Sequence, residues 1–125
     1  MNNNIRIARE LVRLAAKLIM APNNDNGKKF TVENAVNTVM DWLMKNKNDS
    51  YQYIHWIIKD NNKHSETKDK NGITYKTNNG DVLLHVYEPK VNENNILITF
   101  KFFDARSDNM TSTSTISMDN SQKWY

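Results

Sequence analysis

The chain of 125 residues has no cysteine, only three glycines, two prolines and no long apolar run. The lack of cysteine excludes disulfides, thiolate metal sites and cysteine nucleophiles. No segment approaches the roughly 18 apolar residues that a transmembrane helix needs. Each glycine is isolated beside an asparagine, which excludes a glycine-rich phosphate loop. The length fits a single domain over residues 1–125.

Asparagine, in contrast, is abundant, with twenty residues. It tolerates left-handed backbone and caps helices, so it can replace glycine in turns. The net charge is only +3, although the isoelectric point is near 9.1. A hydrophobic fraction of 38%, with 10% aromatic residues, predicts a real core under a polar surface rather than a disordered chain.

Hydrophobic periodicity predicts three helices in the first half of the chain. Apolar residues recur at spacings of three and four over residues 5–21. The same pattern covers residues 31–46, where Thr31 can cap the second helix. A third helix is predicted over residues 50–60, behind a sequence that resembles a capping box.

The second half of the chain predicts an antiparallel sheet. Residues 60–72 are polar and lack periodicity, which predicts a connector, and residues 73–118 then alternate with period two. Asn79-Gly80 is a strong hairpin signal, and residues 111–118 have the composition of a polar edge strand. The predicted fold class is α+β, with about three N-terminal helices packed on one face of a three- to four-stranded antiparallel β-meander.

The expected register sorts the strand residues onto two faces. A two-residue loop at Asn79-Gly80 pairs Ile73 with Val86, and we expect Leu84 to lie opposite Phe100. One face, called the core face, then carries bulky apolar residues: Ile73, Tyr75, Val82, Leu84, Val86, Ile98, Phe100 and Phe102. The other, called the outer face, carries Lys76, Leu83, His85, Tyr87, Leu97, Thr99, Lys101 and Phe103. A merely solvated face is more polar than this. The sequence leaves three candidates that would cover the outer face: the first helix, a protein partner or second copy, and nucleic acid.

The first helix has a narrow polar face. On a helical wheel, Arg6, Arg9, Arg13 and Lys17 share one arc with Glu10, and the remaining positions are apolar. These four cations are called the basic stripe. A surface helix usually has a narrower apolar face. The helix therefore either lies nearly enclosed in the domain or docks elsewhere, and we expect it to belong to the domain.

Residues 5–15, Ile-Arg-Ile-Ala-Arg-Glu-Leu-Val-Arg-Leu-Ala, carry a family resemblance. They resemble the N-terminal helix of small accessory proteins of tailed bacteriophages. The resemblance covers roughly the first 20 residues, which is the length of one long helix. It implies a phage origin and a segment that directs the protein into a prohead or onto a virion.

The histidines are the main candidates for catalysis, and none forms a recognisable site. His55 has no partner at i+4, so it does not form a helical metal motif. His64-Ser65-Glu66 are adjacent on the predicted connector, where catalytic geometry is rarely held. His85 with Asp104 could supply a general base, but a hydrogen-bonded sheet histidine is the commoner role. We expect no enzyme, no cofactor and no metal.

The expected function is therefore binding. We expect a phage-type accessory or virion-associated protein that binds another protein or a second copy, in the virion or the host cytoplasm, without a signal peptide. The alternatives are a nucleic-acid-binding protein and a host-directed phage inhibitor. A membrane is not expected, because one helix with four cations and no aromatic residue is a poor anchor. The candidate binding residues are Arg6, Arg9, Arg13, Lys17, Lys76, His85, Tyr87, Lys101 and Phe103.

Overall fold

The computed structural model describes residues 3–20, 30–45, 55, 64–77, 82–103, 110–122 and 124. Within these residues the fold is α+β, with two helices ahead of an antiparallel sheet of six strands, which confirms the predicted class. The elements are α1 (Asn3–Met20), α2 (Val32–Lys45), β1 (His64–Asp69), β2 (Gly72–Thr77), β3 (Val82–Tyr87), β4 (Lys90–Asn92), β5 (Asn95–Phe103) and β6 (Met110–Asp119). The predicted third helix, residues 50–60, lies outside the described residues except for His55. Neither described helix has the length and hydrophobicity to cross a bilayer.

Both described helices begin and end close to their predicted bounds. Thr31 caps α2 as its sequence position suggests, because its Oγ1 accepts a hydrogen bond of 3.1 Å from the Asn34 amide. Near the start of α1, the buried side chain of Asn4 donates a hydrogen bond of 2.8 Å to the carbonyl of Gln122. This contact ties the beginning of α1 to the end of the chain, where Trp124 is also buried.

The six strands form a meander with one interrupted strand. β1 pairs with β2 and β2 with β3, while β6 pairs with β5 along its whole length. β3 and β4 pair with different halves of β5, so they follow one another along the edge of β5 that β6 leaves open. Glu88 and Pro89 separate β3 from β4, which fits the inability of proline to donate to a ladder. The predicted count of three to four strands is therefore too low.

The prediction of a connector over residues 60–72 is wrong where β1 occupies it. β1 pairs in regular register with β2, from His64 opposite Thr77 to Asp69 opposite Gly72. Its inward residues are polar as well as its outward ones, so no hydrophobic alternation marks the strand. Glu66 faces inward, opposite the buried Tyr75, and finds polar partners there. Because the inward position 66 is occupied by an ion-paired glutamate and not by an apolar residue, hydrophobic periodicity does not predict this strand.

The predicted register is right on one side of β3 and wrong on the other. Ile73 lies opposite Val86 as expected, but Leu84 lies opposite Phe102 rather than Phe100. The error of two residues keeps the side chains that pair between β3 and β5 on their predicted faces, because side-chain direction along a strand has period two. The turn at Asn79-Gly80 lies outside the described residues.

A local irregularity moves Val82 away from the core face. The register shifts between Tyr75 and Lys76, so that Lys76 lies opposite Val82 while Tyr75 lies opposite Leu84. Such a bulge re-aims the side chains beyond it. Val82 then lines a depression together with outer-face residues, which corrects its predicted place.

The core lies between the helices and the core face. α1 contributes a continuous buried surface from Ile7 to Leu18, and it contacts α2, β3 and β5. Opposite it, the core face buries Leu84, Val86 and Phe100. α1 therefore belongs to the domain, as expected. Because α1 packs on the core face, the interpretation that it covers the outer face is wrong.

Candidate binding surfaces

The nine candidate binding residues divide into two groups on opposite sides of the sheet. The basic stripe lies on α1, which packs over the core face. The other five residues lie on strands of the outer face: Lys76, His85, Tyr87, Lys101 and Phe103. We treat each group as a separate candidate surface, and the two adjoin where Tyr87 lines a groove together with Arg6, Arg9 and Arg13.

The basic stripe lies next to carboxylates, two of which come from the strand half of the chain. Arg9 forms an ion pair with Glu88, the residue that follows β3. Arg13 lies 3.4 Å from Glu66 on β1 and 3.5 Å from Glu10 on α1, measured between nitrogen and oxygen atoms. Arg9 and Arg13 therefore have acidic partners, and these pairs orient α1 over the edge of the sheet.

The centre of this ion-paired group is Glu66. Burial alone would raise the pKa of the Glu66 carboxyl, but the Tyr75 hydroxyl donates to it at 2.9 Å, and Arg13 and Lys17 add positive charge. The net effect lowers the pKa of Glu66 below its ordinary value. For Tyr75, burial and the negative charge of Glu66 raise the pKa of the phenol. Glu66 therefore stays ionised and Tyr75 stays neutral near neutral pH.

Lys17 completes the same group. Burial and the positive charge of Arg13 lower the pKa of the Lys17 ammonium, and Glu66 opposes that shift only in part. A cation partly withdrawn from water beside another cation is poorly placed to attract phosphates. The basic stripe thus fits a role in positioning α1 better than a role in binding a polyanion.

The outer face brings four candidate residues into mutual contact. His85 lies opposite Lys101 in the β3–β5 register, and the His85 and Tyr87 rings meet edge to face with centroids 4.7 Å apart. The Lys101 ammonium lies 3.4 Å from the Tyr87 hydroxyl and 5.7 Å from the centre of the Phe103 ring. A lysine held between two aromatic residues forms a connected patch, called the aromatic patch: His85, Tyr87, Lys101 and Phe103.

A depression borders the aromatic patch. It has a volume of about 340 Å³ and is lined by Thr74, Val82, His85 and Phe103. Tyr87 stands exposed near it, with 37% of its surface accessible. Lys76 is on β2, opposite Ser65, at the side of this region. The bulge that brings Val82 here carries no signal in the sequence, so Val82 is a site residue that the pattern could not have identified.

The outer face holds no recognisable catalytic arrangement among the described residues. His85 Nδ1 lies 2.9 Å from Thr74 Oγ1, as expected of a hydrogen-bonded sheet histidine. Asp104, its suggested partner, lies outside the described residues. Ser65 points to the opposite side of β1 from Glu66, because neighbouring residues of a strand alternate. The part of the chain that the structure describes also contains no cluster of three metal-binding side chains.

A groove lies on the helix side of the sheet. It has a volume of about 470 Å³ between α1, the end of α2 and the β2–β3 pair. Its apolar lining includes Trp42, Leu43 and Ile73, and its rim carries cations and carboxylates in nearly equal number. The size is that of many small-molecule sites. Its residues come from four separate segments of the chain, so no local sequence motif predicts the groove.

Comparison with known proteins adds no assignment, because no family model, curated protein or solved structure matches this chain. The class that the fold defines is an α+β domain with its helices on one face of an antiparallel meander.

Proposed function

We propose that this domain is a non-enzymatic binding protein that receives a protein partner on the outer face of its sheet. The observation that carries the proposal is the aromatic patch, in which Tyr87 and Phe103 flank Lys101 on the outer face of the sheet. Tyrosine and other aromatic residues are enriched in protein interfaces and supply much of their binding energy.

Charge favours a protein over nucleic acid as the partner. Nucleic-acid affinity depends on several cations that neutralise phosphates together. The outer face offers Lys76 and Lys101, and the stripe on the other side of the sheet has Arg9 and Arg13 next to carboxylates. An interface of aromatic and aliphatic side chains with a single central cation is closer to the core of a protein–protein interface.

The depression next to the patch suits an apolar side chain of such a partner. Val82 and Phe103 provide apolar walls, while Thr74 and His85 add polar atoms. Tyr87 is exposed and has its hydroxyl oriented by Lys101, so its ring is held ready for contact. Anchors of this kind, seated beside a small pocket, are typical of interface hot spots.

The nucleic-acid alternative is supported by one feature of the same patch. Aromatic rings next to a lysine can stack on bases and neutralise a phosphate. This alternative uses the same residues as the protein-binding proposal, so substitutions in the patch weaken both kinds of binding. The two functions are distinguished by whether a protein or a nucleic acid binds to the patch.

We further infer a phage-type accessory role from the resemblance of residues 5–15. Because α1 supplies core residues, we propose that it acts as part of the domain and not as a detachable targeting segment. Mass spectrometry of purified virions and proheads tests the structural role. Expression confined to the earliest stage of infection would favour the host-directed inhibitor instead.

Site-specific photocrosslinking tests the protein-binding proposal. A photoreactive phenylalanine analogue replaces Tyr87 in the full chain, expressed in cells that produce the protein naturally. Asn37, exposed on α2, and Arg6, exposed on α1, are replaced in matched control chains. We expect one discrete protein adduct from position 87 and none from position 37.

A second substitution shows whether that adduct depends on the patch. Adding Phe103→Ala to the chain labelled at position 87 should abolish the adduct, because it removes one wall of the depression. An adduct from position 6 with none from position 87 would move the binding surface to α1 and contradict the proposal. Crosslinks to nucleic acid from position 87 would establish the alternative.

A further inference from the structure

Two lysines lie next to the depression on the outer face. Lys101 is two residues before Phe103 on β5, and Phe103 lines the depression. Lys76 lies opposite Val82, which is another lining residue. Among the residues that the structure describes, no carboxylate forms an ion pair with either lysine. The depression therefore has a cation on its β2 side and another on its β5 side.

The carboxylates of the outer face lie at the ends of its described strands. The register places Asp69 and Asp119 on this face, and they are the last residues of β1 and β6. Asp119 lies opposite Asn95, which is six residues from Lys101 along β5, or roughly 20 Å. Asp69 lies opposite Gly72, at the far end of β2 from Lys76. The charge around the depression is therefore positive on the described part of this face.

Lys101 is held in a setting that favours a pair with an anion. Its ammonium lies 3.4 Å from the Tyr87 hydroxyl and 5.7 Å from the centre of the Phe103 ring. These contacts restrain the long side chain, so less conformational entropy is lost when a carboxylate binds it. The rings also exclude part of the water around the ammonium, and a charge pair is less screened there than in open solvent. Tyr87 is 37% exposed, so this side of Lys101 is accessible to a ligand.

We propose that the partner presents an acidic segment to this face, in which a bulky apolar side chain enters the depression and a carboxylate two positions away pairs with Lys101. The inference rests on the proposed function, because it names the chemistry of the partner that the outer face receives. The depression, of about 340 Å³, has room for a leucine or phenylalanine side chain.

The spacing of the two ligand groups follows from β5. Lys101 and Phe103 point to the same side of the strand, and alternate residues are about 7 Å apart along it. An extended ligand segment has the same distance between its own alternate side chains. Opposite charges placed across an interface in this way add specificity and speed association.

Selection from a library of short random peptides displayed on yeast tests the inference with the full chain. We expect enriched peptides to carry aspartate or glutamate two positions from a leucine, isoleucine or aromatic residue. By fluorescence anisotropy, Lys101→Gln should raise the Kd of a resynthesised peptide by about fivefold or more and flatten its dependence on salt. The matched control is Lys90→Gln, which removes the same charge at an exposed position opposite Leu97 and should leave Kd within about twofold.

A charge exchange separates pairing with the ligand from a structural effect of the substitution. Lys101→Glu should lose the selected peptide and bind a version in which lysine replaces the acidic residue. The same lysine-containing peptide should bind wild type poorly. Replacement of the peptide's acid by glutamine gives a further readout that leaves the protein unchanged, and it should weaken binding as much as Lys101→Gln does.

Two results would overturn the inference and leave the proposed function in place. They are selected peptides without an acidic residue that bind wild type but not Phe103→Ala, and acidic peptides that bind wild type and Lys101→Gln equally. A selection that yields no peptide dependent on Phe103 would also overturn it, while photocrosslinking from position 87 tests the proposed function independently. Displacement of the peptide by an oligonucleotide would assign Lys101 to a phosphate and contradict an acidic protein segment as its ligand.

Discussion

At the scale of single residues, Gly72 occupies a position that no other residue can take without cost. Its φ is +140°, and a Cβ built on it would lie 2.0 Å from the carbonyl oxygen of Val86. Gly72→Ala should therefore force β2 away from β3 and lower the free energy of unfolding by about 2–3 kcal/mol.

Chemical denaturation measures that loss, with Asn71→Ala as the control. Asn71 is the exposed neighbour in the same turn, and its side chain can be truncated without backbone strain. The control should stay within about 0.5 kcal/mol of wild type. Equal stability of the two alanine variants would mean that the close approach of β2 and β3 is not as described.

Glu66 gives the domain a pH dependence with a defined sign. Its pKa is lower in the folded chain than its ordinary value of 4.5, so the unfolded chain binds the proton more readily. The carboxylate then contributes stability above pH 4.5, and this contribution is lost as the pH falls through the folded pKa. Glu66→Gln should be less stable than wild type at neutral pH, and the difference should shrink in acid.

Thermal unfolding across this pH range measures the effect. Tyr75→Phe serves as the matched variant, because it removes the hydrogen bond to Glu66 and leaves Arg13 in place. Its stability should depend on pH less steeply than that of wild type. A Glu66→Gln profile parallel to wild type would contradict the role given to this carboxylate.

At the scale of elements, α1 is the central packing unit. Leu11 is fully buried in the core, whereas Arg6 is exposed on the same helix. Leu11→Ala should cost about 2–5 kcal/mol because it leaves a cavity. Arg6→Ala should cost less than about 0.5 kcal/mol.

Removal of residues 1–21 should abolish the cooperative thermal transition. A sharp melt of residues 28–125 near the wild-type midpoint would show that α1 is dispensable.

The described elements also show where a single sequence is informative. Apolar periodicity located α1 and α2 closely, because each buries one apolar face. The same criterion missed β1, where the inward Glu66 is satisfied by Tyr75 and Arg13 instead of by apolar contacts. Tertiary partners that come from distant segments leave no trace in local periodicity.

The candidate surfaces follow the same logic. Alternation was enough to place His85, Tyr87, Lys101 and Phe103 on one face, and the structure brings them into contact. The sequence could not show that Arg9 meets Glu88, since 79 positions separate the two residues. It also could not place Val82, whose side is decided by a bulge between Tyr75 and Lys76. The alternation of residues along the strands therefore predicted which side chains share a face of the sheet. It did not predict which charged side chains form ion pairs.

At the scale of the whole molecule, the distribution of charge predicts weak attraction to nucleic acid. Fluorescence anisotropy with labelled single- and double-stranded oligonucleotides should show no binding at about 50 mM salt. Binding that Lys76→Ala with Lys101→Ala removes would instead support the nucleic-acid alternative at the outer face. Binding that only Arg6→Ala with Arg13→Ala removes would assign it to the basic stripe.

The most direct test of the central claim is the affinity of surface variants for the partner that position 87 captures. By titration calorimetry with that purified partner, Tyr87→Ala and Phe103→Ala should each raise Kd by about tenfold or more, which is the loss expected of interface anchors. Arg6→Ala, in the basic stripe on α1, should leave Kd within about twofold of wild type. A Kd that rises with Arg6→Ala and is unchanged by Tyr87→Ala would contradict the assignment of the outer face as the binding surface.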